Sequence, residues 1–371
     1  MFADEEDQSE PKTKEEWRAY IDLVPPPRPD LPSLADYEAM SDDAREEFDD
    51  ARDAYHSALV IVRTEPMKLI HQDISLKMRM NRRAPAGARR GVVIDGPPTV
   101  GKSTMVKMFG ADYELALRRK DPEKFTKSMV IDGFLCDYTP VVYISVPSEA
   151  TPKDLSKVIA EWLNQPYRAG ATKTDITNLV LRAMKLCGVS LVIVDDLHFL
   201  DLSAKEGRAV NDHLKYLANY CSATFVYTGH SLEKSGLFLE GAASNRATQT
   251  SGRFTKHKID LFKVGTTQQI REWASVIKTM EDALALFRHR AGSLATQHWE
   301  YLHKRTGGSI ASLHALIRQA ALLATATGKE AVTKALLEQI TIDENAVRVY
   351  QAATRRSAVR QTRPPAEPAA G

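Results

Sequence analysis

The chain has 371 residues, of which 43% are hydrophobic and 26% charged, and a formal net charge of +2. That is an ordinary globular composition, with enough chain for two or three domains and a sizeable core. No uninterrupted apolar run reaches membrane-spanning length, and no signal-peptide pattern is visible. Cys136, Cys187 and Cys221 lack metal-ligand spacing and read as reduced thiols, so the expectation is a cytoplasmic protein with no membrane contact.

The small net charge hides an asymmetry. Residues 1–57 carry 18 Asp and Glu against 6 Lys and Arg, net −12, and the remainder carries 30 against 44, net +14. A basic body suits a polyanionic partner. The acidic arm is either a solvated, partly disordered tail, or a shield for that body, or a site for a basic partner.

In chain order, residues 1–33 end in a proline cluster (Pro25, Pro26, Pro27, Pro29, Pro32), with a short helix expected over 14–23. Residues 34–80 read as mostly helical, and Met67, Ile70, Ile74 and Met78 recur at helical spacing. A basic stretch follows, with Lys77, Arg79, Arg82, Arg83, Arg89 and Arg90. It is a DNA contact, a solvated linker or a subunit contact.

Apolar runs at 91–95, 141–146, 190–195, 223–228 and 257–262 then read as strands. Helices are expected over 151–163, 174–186 and 204–220. Short apolar runs alternating with helices indicate a parallel sheet covered on both faces. After residue 262 the strand pattern stops, and helices are expected over 266–280, 294–304, 309–326 and 329–340. From residue 354 the chain is rich in Arg, Pro and Ala and reads as disordered.

The chemistry starts after the first strand. Gly96, Pro97, Pro98, Thr99, Val100, Gly101, Lys102 and Ser103 form a Walker A phosphate loop between a strand and a helix, and Thr104 continues it. Glycines let successive N–H groups turn around a phosphate, and the helix N-terminus adds positive charge. Lys102 is expected to reach the β- and γ-phosphates of ATP, and Ser103 to hold Mg²⁺.

Val192, Ile193 and Val194 followed by Asp195 and Asp196 form a Walker B signature, an apolar strand ending in acids. Asp195 is expected at Mg²⁺, directly or through a water, and Asp196 as the group that orients or deprotonates the attacking water. Many such ATPases carry Glu there. Asp is shorter by one methylene, roughly 1.5 Å of reach, so slow hydrolysis and a long-lived ATP state are expected.

The fourth strand ends at Thr228, before Gly229 and His230. ASCE-type ATPases carry a polar sensor at this place, and Thr228 is either that or an ordinary turn residue. Arg253, just before the fifth strand, stands where AAA+ proteins put an arginine finger that reaches the neighbouring subunit's ATP. Arg246 competes for the role. A simple nucleotide kinase is disfavoured, because another strand separates the loop strand from the acidic pair.

Together these residues resemble the TniB/TnsC group of AAA+ ATPases that regulate DNA transposition. The resemblance runs from about residue 55 to residue 340. It rests on the lead-in to Arg79 and Met80, the Ile94 to Ser103 loop, the strand Val142 to Val146, Ile193 to Leu197 with His198, Tyr227-Thr228-Gly229, Gly252-Arg253-Phe254, and Thr306-Gly307-Gly308-Ser309-Ile310. It implies ATP binding and a homo-oligomer, ring or filament, on duplex DNA without sequence preference. It further implies recruitment of a DDE transposase, contact with a targeting protein, and disassembly on hydrolysis.

The expected fold is α/β, an AAA+ P-loop NTPase of the ASCE class. It has a five-stranded parallel sheet in order 5-1-4-3-2 and a small C-terminal helical lid. The expected domains are an acidic arm (1–57), a nucleotide-binding domain with its helical lead-in (58–262), the lid (263–345) and a tail (346–371). Two departures stand out. The second Walker B acid is Asp196 rather than Glu, and the lid turn offers no sensor arginine, Arg318 lying further along. An ATP-driven signalling switch and a helicase-loader-like ATPase are the alternatives. Duplex dependence separates the first reading from the switch, and a preference for single strands favours the loader.

Overall fold

Runs of β-branched and aromatic residues too short for helices form the main sheet of the computed structural model. The structure describes residues 10–85, 89–131, 134–147, 149–197, 205–232, 254–344, 346–348 and 350–351. The elements begin with α1 (Lys14–Asp22), α2 (Leu34–Glu38), α3 (Asp42–Ser57), α4 (Glu65–Asn81), β1 (Gly91–Asp95), α5 (Lys102–Lys120) and α6 (Pro122–Phe125). Next come β2 (Ser128–Ile131), β3 (Phe134–Asp137), β4 (Val141–Ser145), α7 (Pro152–Trp162), α8 (Lys173–Leu186), β5 (Leu191–Asp195), α9 (Lys205–Tyr220), β6 (Thr224–Gly229) and β7 (Phe254–Lys258). The last helices are α10 (Thr267–Asp282), α11 (Ser293–Gln297), α12 (Trp299–Thr306), α13 (Ile310–Ala326) and α14 (Lys334–Leu337).

The main sheet runs β4-β5-β6-β1-β7, all parallel. Counting only its own strands, this is the expected order 5-1-4-3-2. β5 and β6 are buried throughout. Among the described residues β7 pairs with β1 alone, and it is half exposed and mostly polar in sequence. The apolar run expected to be this strand, 257–262, therefore sits mostly beyond it. A separate antiparallel hairpin, β2 with β3, was not foreseen, because β2 is exposed along most of its length and carries no core signal.

Two compact units divide the chain: residues 1–23 with 65–259, and residues 24–64 with 260–371. The acidic arm is shared between them. In the first unit α1 inserts Trp17, which is 1% exposed and donates from Nε1 to Glu114 Oε2 at 2.9 Å. Lys14 and Arg18 pair with Asp137, the latter at 2.7 Å. In the second unit α3 buries Arg52 against Glu330 at 2.8 Å, and His56 Nε2 accepts the Ala285 N–H at 3.0 Å.

Local capping explains several helix boundaries. α8 starts one residue earlier than expected, because Thr172 and Asp175 cap each other reciprocally. Thr266 and Gln269 do the same for α10. The helix expected over 294–304 is split into α11 and α12, and only Lys334–Leu337 of the one expected over 329–340 is helical. At the lid turn Gly308 has φ +77°, and a Cβ there would lie 2.1 Å from Phe262 O. That close approach accounts for the glycine. Arg318 donates to Ser57 O at 3.2 Å.

Candidate nucleotide-binding site

The site lies at the carboxyl ends of β1, β5 and β6, where an open α/β sheet presents loops and helix N-termini. Pairing aligns Asp95 with Gly229, Ser145 with Asp195, and Val194 with Tyr227, which brings Asp195 and Thr228 to one level.

The loop leaving β1 bends through two left-handed residues, Thr99 (φ +66°) and Gly101 (φ +84°). A β-branched residue rarely adopts that region, so the loop geometry is imposed by its surroundings. Gly96 is pinned from behind: a Cβ there would stand 2.3 Å from Ile259 O. Ile259 N donates to Asp95 O at 2.8 Å, and Gly96 N to Gly229 O at 3.2 Å. Pro97 and Pro98 have no N–H, so the donors of the cradle are those from Thr99 onward. α5 begins after Gly101 without a side-chain cap, leaving its first N–H groups to an anion.

Lys102 is 9% exposed, and its Nζ donates to Gly96 O and Pro97 O, both at 2.8 Å. Burial pulls its ammonium below the ordinary lysine range, while Asp195, Asp196 and Asp95 act against that pull. A buried cation facing three carboxylates and a ring of N–H donors fits a polyphosphate held with a divalent cation.

Asp195 is fully buried at the end of β5. Its Oδ1 accepts the Thr228 hydroxyl and the Asp196 N–H, the latter at 2.9 Å. Its Oδ2 accepts the Tyr143 hydroxyl at 2.9 Å. Burial, then the Asp195 charge, then a hydrogen bond to Glu10 push the Tyr143 phenol well above its usual range, so it stays a donor. Asp196 has φ +58°, a region that Asp tolerates better than most residues. His230 Nδ1 lies 3.3 Å from Gly96 O.

The structure thus brings together the loop 96–104, Asp195, Asp196 and Thr228. Arg253, Arg246 and His198 lie outside the described residues. Glu10 and Ile259 were not picked out from sequence, and Tyr143 only as part of a buried strand. They reach the site through strand pairing and chain return, and no local motif marks them. Ser103 and Asp195 supply hard oxygen atoms of the kind Mg²⁺ takes. Among the described residues no three His, Cys, Asp or Glu side chains converge on a metal position. Mg²⁺ held on phosphates needs only one or two protein oxygens.

The basic run of the lead-in divides. Lys77 is buried against Asp73 at 2.6 Å, and Arg89 donates to Cys221 O at 2.9 Å. Arg79, Arg82, Arg83 and Arg90 are exposed. Among the described residues no helix is long and apolar enough to cross a membrane.

No curated protein matches the chain. Among solved structures it is similar to the Aeropyrum pernix ORC2 protein in ADPNP–ADP complexes, with a TM-score of 0.51 and 14% identity. The match covers 72% of this chain and 66% of that one, just under two thirds of its length. It is also similar to the Aeropyrum pernix ORC1 protein in complex with DNA, with a TM-score of 0.51, 13% identity, and coverage of 84% and 71%. At such identity the likeness speaks for the fold alone. The family model described as bacterial TniB protein matches residues 70–264. That is more than half of the chain, and it contains every strand of the main sheet and the whole phosphate loop: the chain belongs to the TniB family.

Proposed function

We propose that this protein is an ATP-dependent, DNA-binding AAA+ regulator of transposition that hydrolyses ATP slowly. The observation that carries the nucleotide reading is Lys102, buried in a left-handed glycine loop and opposed by Asp195, Asp196 and Asp95. Loop N–H groups and Lys102 would bind the phosphates. Ser103 and Asp195 would hold Mg²⁺, which would neutralise charge on the β- and γ-oxygens. Asp196 would orient the attacking water, and Thr228 would fix Asp195 and sense the γ-phosphate. Arg253, with Arg246 as competitor, would act on the ATP of an adjacent subunit.

DNA binding is supported by TniB family membership, by the +14 charge of residues 58–371, and by the exposed Arg79, Arg82, Arg83 and Arg90. A surface of this kind neutralises phosphates without reading bases, so binding would be independent of sequence and steeply salt-dependent. The assembled oligomer would recruit a DDE transposase and meet a targeting protein. The test is fluorescence anisotropy of a random duplex at fixed moderate salt, with and without ATP and Mg²⁺. ATP-dependent binding is expected. Binding that ignores ATP, or no binding, contradicts the reading.

A further inference from the structure

Glu10 ties the N-terminal segment to the Walker B carboxylate. Its Oε1 accepts the Tyr143 hydroxyl, its Oε2 accepts the Ser145 hydroxyl at 3.1 Å, and Lys107 Nζ stands 3.5 Å from Oε1. The same Tyr143 hydroxyl lies 2.9 Å from Asp195 Oδ2. A phenol has one hydrogen, and an ionised carboxylate has none to offer. Two acceptors therefore compete for one donor.

The seat of Glu10 is built by packing as well as charge. Tyr143 is fully buried, and its ring stacks on Trp17 at 6.1 Å with a 12° interplanar angle. Lys107 Nζ lies over the rings of Tyr143 and Tyr20, at 5.6 and 6.0 Å. Asp22, at the other end of α1, pairs with Arg118 at 2.7 Å. Glu10 thus hangs from a helix anchored at both ends, and loss of its own contacts leaves that helix in place.

We propose that this segment is a positioning strap for the nucleotide site. Seated, Glu10 draws the Tyr143 hydrogen away from Asp195 and leaves that carboxylate more electron-rich toward the Mg²⁺–nucleotide complex. Lifted, it lets Tyr143 donate wholly to Asp195, which weakens that carboxylate as a ligand. Glu10 and Tyr143 are positioning residues and touch no phosphate. The coupling is reciprocal: if seating tightens nucleotide binding, the nucleotide tightens the seat. The inference rests on the nucleotide reading of the site.

The test uses the full chain, a fluorescent ATP analogue with Mg²⁺, and hydrogen exchange over residues 10–22. Glu10→Gln is expected to weaken binding about fivefold, the low end of such couplings. In a Tyr143→Phe background the same substitution should change nothing further. The nucleotide should slow exchange of residues 10–22 in the wild type and much less in Glu10→Gln, a readout that stands even if Tyr143→Phe fails to fold. Wild-type affinity in Glu10→Gln, or nucleotide-independent exchange of the strap in the wild type, overturns the proposal while sparing the nucleotide reading. A wild type that binds no nucleotide overturns both.

Discussion

The hydroxyl of Thr228, at the end of β6, donates to Oδ1 of Asp195, at the end of the neighbouring β5, and both residues are fully buried. Two adjacent strands thereby lock one carboxylate in a single orientation. Asp195 is proposed to hold Mg²⁺, and partners that orient a metal-binding carboxylate matter on the order of 10–100-fold in affinity or activity. Thr228→Val keeps the shape and removes the donor. Single-turnover phosphate release should slow by about that factor while the fold is retained. Unchanged release would reduce Thr228 to a turn residue.

Asp196 is proposed to position the attacking water, and its backbone is left-handed at φ +58°. Asn is the cleanest substitution, since it tolerates that region and matches the shape. Asp196→Asn should bind nucleotide normally and hydrolyse it roughly 10²–10⁴-fold more slowly. The ATP-bound assembly would then persist, as read by light scattering over time. Rapid hydrolysis in this variant would remove Asp196 from the chemistry.

Gly96→Ala should damage the loop from behind. The new Cβ would stand 2.3 Å from the backbone oxygen of Ile259, and backbone cannot rotate aside as a side chain can. Overpacking of this kind costs about 1–3 kcal/mol. Thermal unfolding should show a lowered midpoint, with nucleotide affinity lost alongside it. A variant as stable as the wild type would mean that the β7 exit is softer than its packing implies.

Two buried histidines make the protein acid-sensitive. Burial, with nearby cations, lowers the pKa of His56 and of His213 to about 4. His56 accepts the Ala285 N–H, and His213 shares a hydrogen bond with Ser156 at 2.8 Å. The unfolded chain protonates near pH 6.5, so it binds more protons than the fold between about pH 6.5 and pH 4. Stability is full above that window and falls through it, by roughly 2 kcal/mol per histidine at pH 5. Urea unfolding at pH 7 and pH 5 measures the difference. His56→Gln should flatten the share from its own unit, and an equal slope would place the sensitivity elsewhere.

Local features were the legible ones. The phosphate loop, the apolar strand ending in Asp195 and Asp196, and Thr228 each follow from a few adjacent residues, and the buried strands β1, β4, β5 and β6 fell close to their apolar runs. The sheet order follows from the family resemblance, since single strands do not announce their neighbours. Features set by distant partners were hidden. Glu10 and Tyr143 are 133 residues apart, and Tyr143 and Asp195 are 52 apart. β7 is mostly polar, as suits the edge it forms among the described residues, and β2 is exposed, so neither stood out as an apolar run. Lys77 looked like part of a basic surface until its partner Asp73, one helical turn away, was seen to bury it. The helix expected from residue 174 begins one residue earlier, because its cap is Thr172, with Asp175 as the third residue of the helix.

The most direct test of the central claim is sedimentation of the wild type and Lys102→Ala on a random duplex, with ATP and Mg²⁺ added or omitted. The account predicts ATP-dependent co-assembly of the wild type with DNA and none for Lys102→Ala. Equal assembly of the two proteins, or wild-type assembly indifferent to ATP, would contradict it.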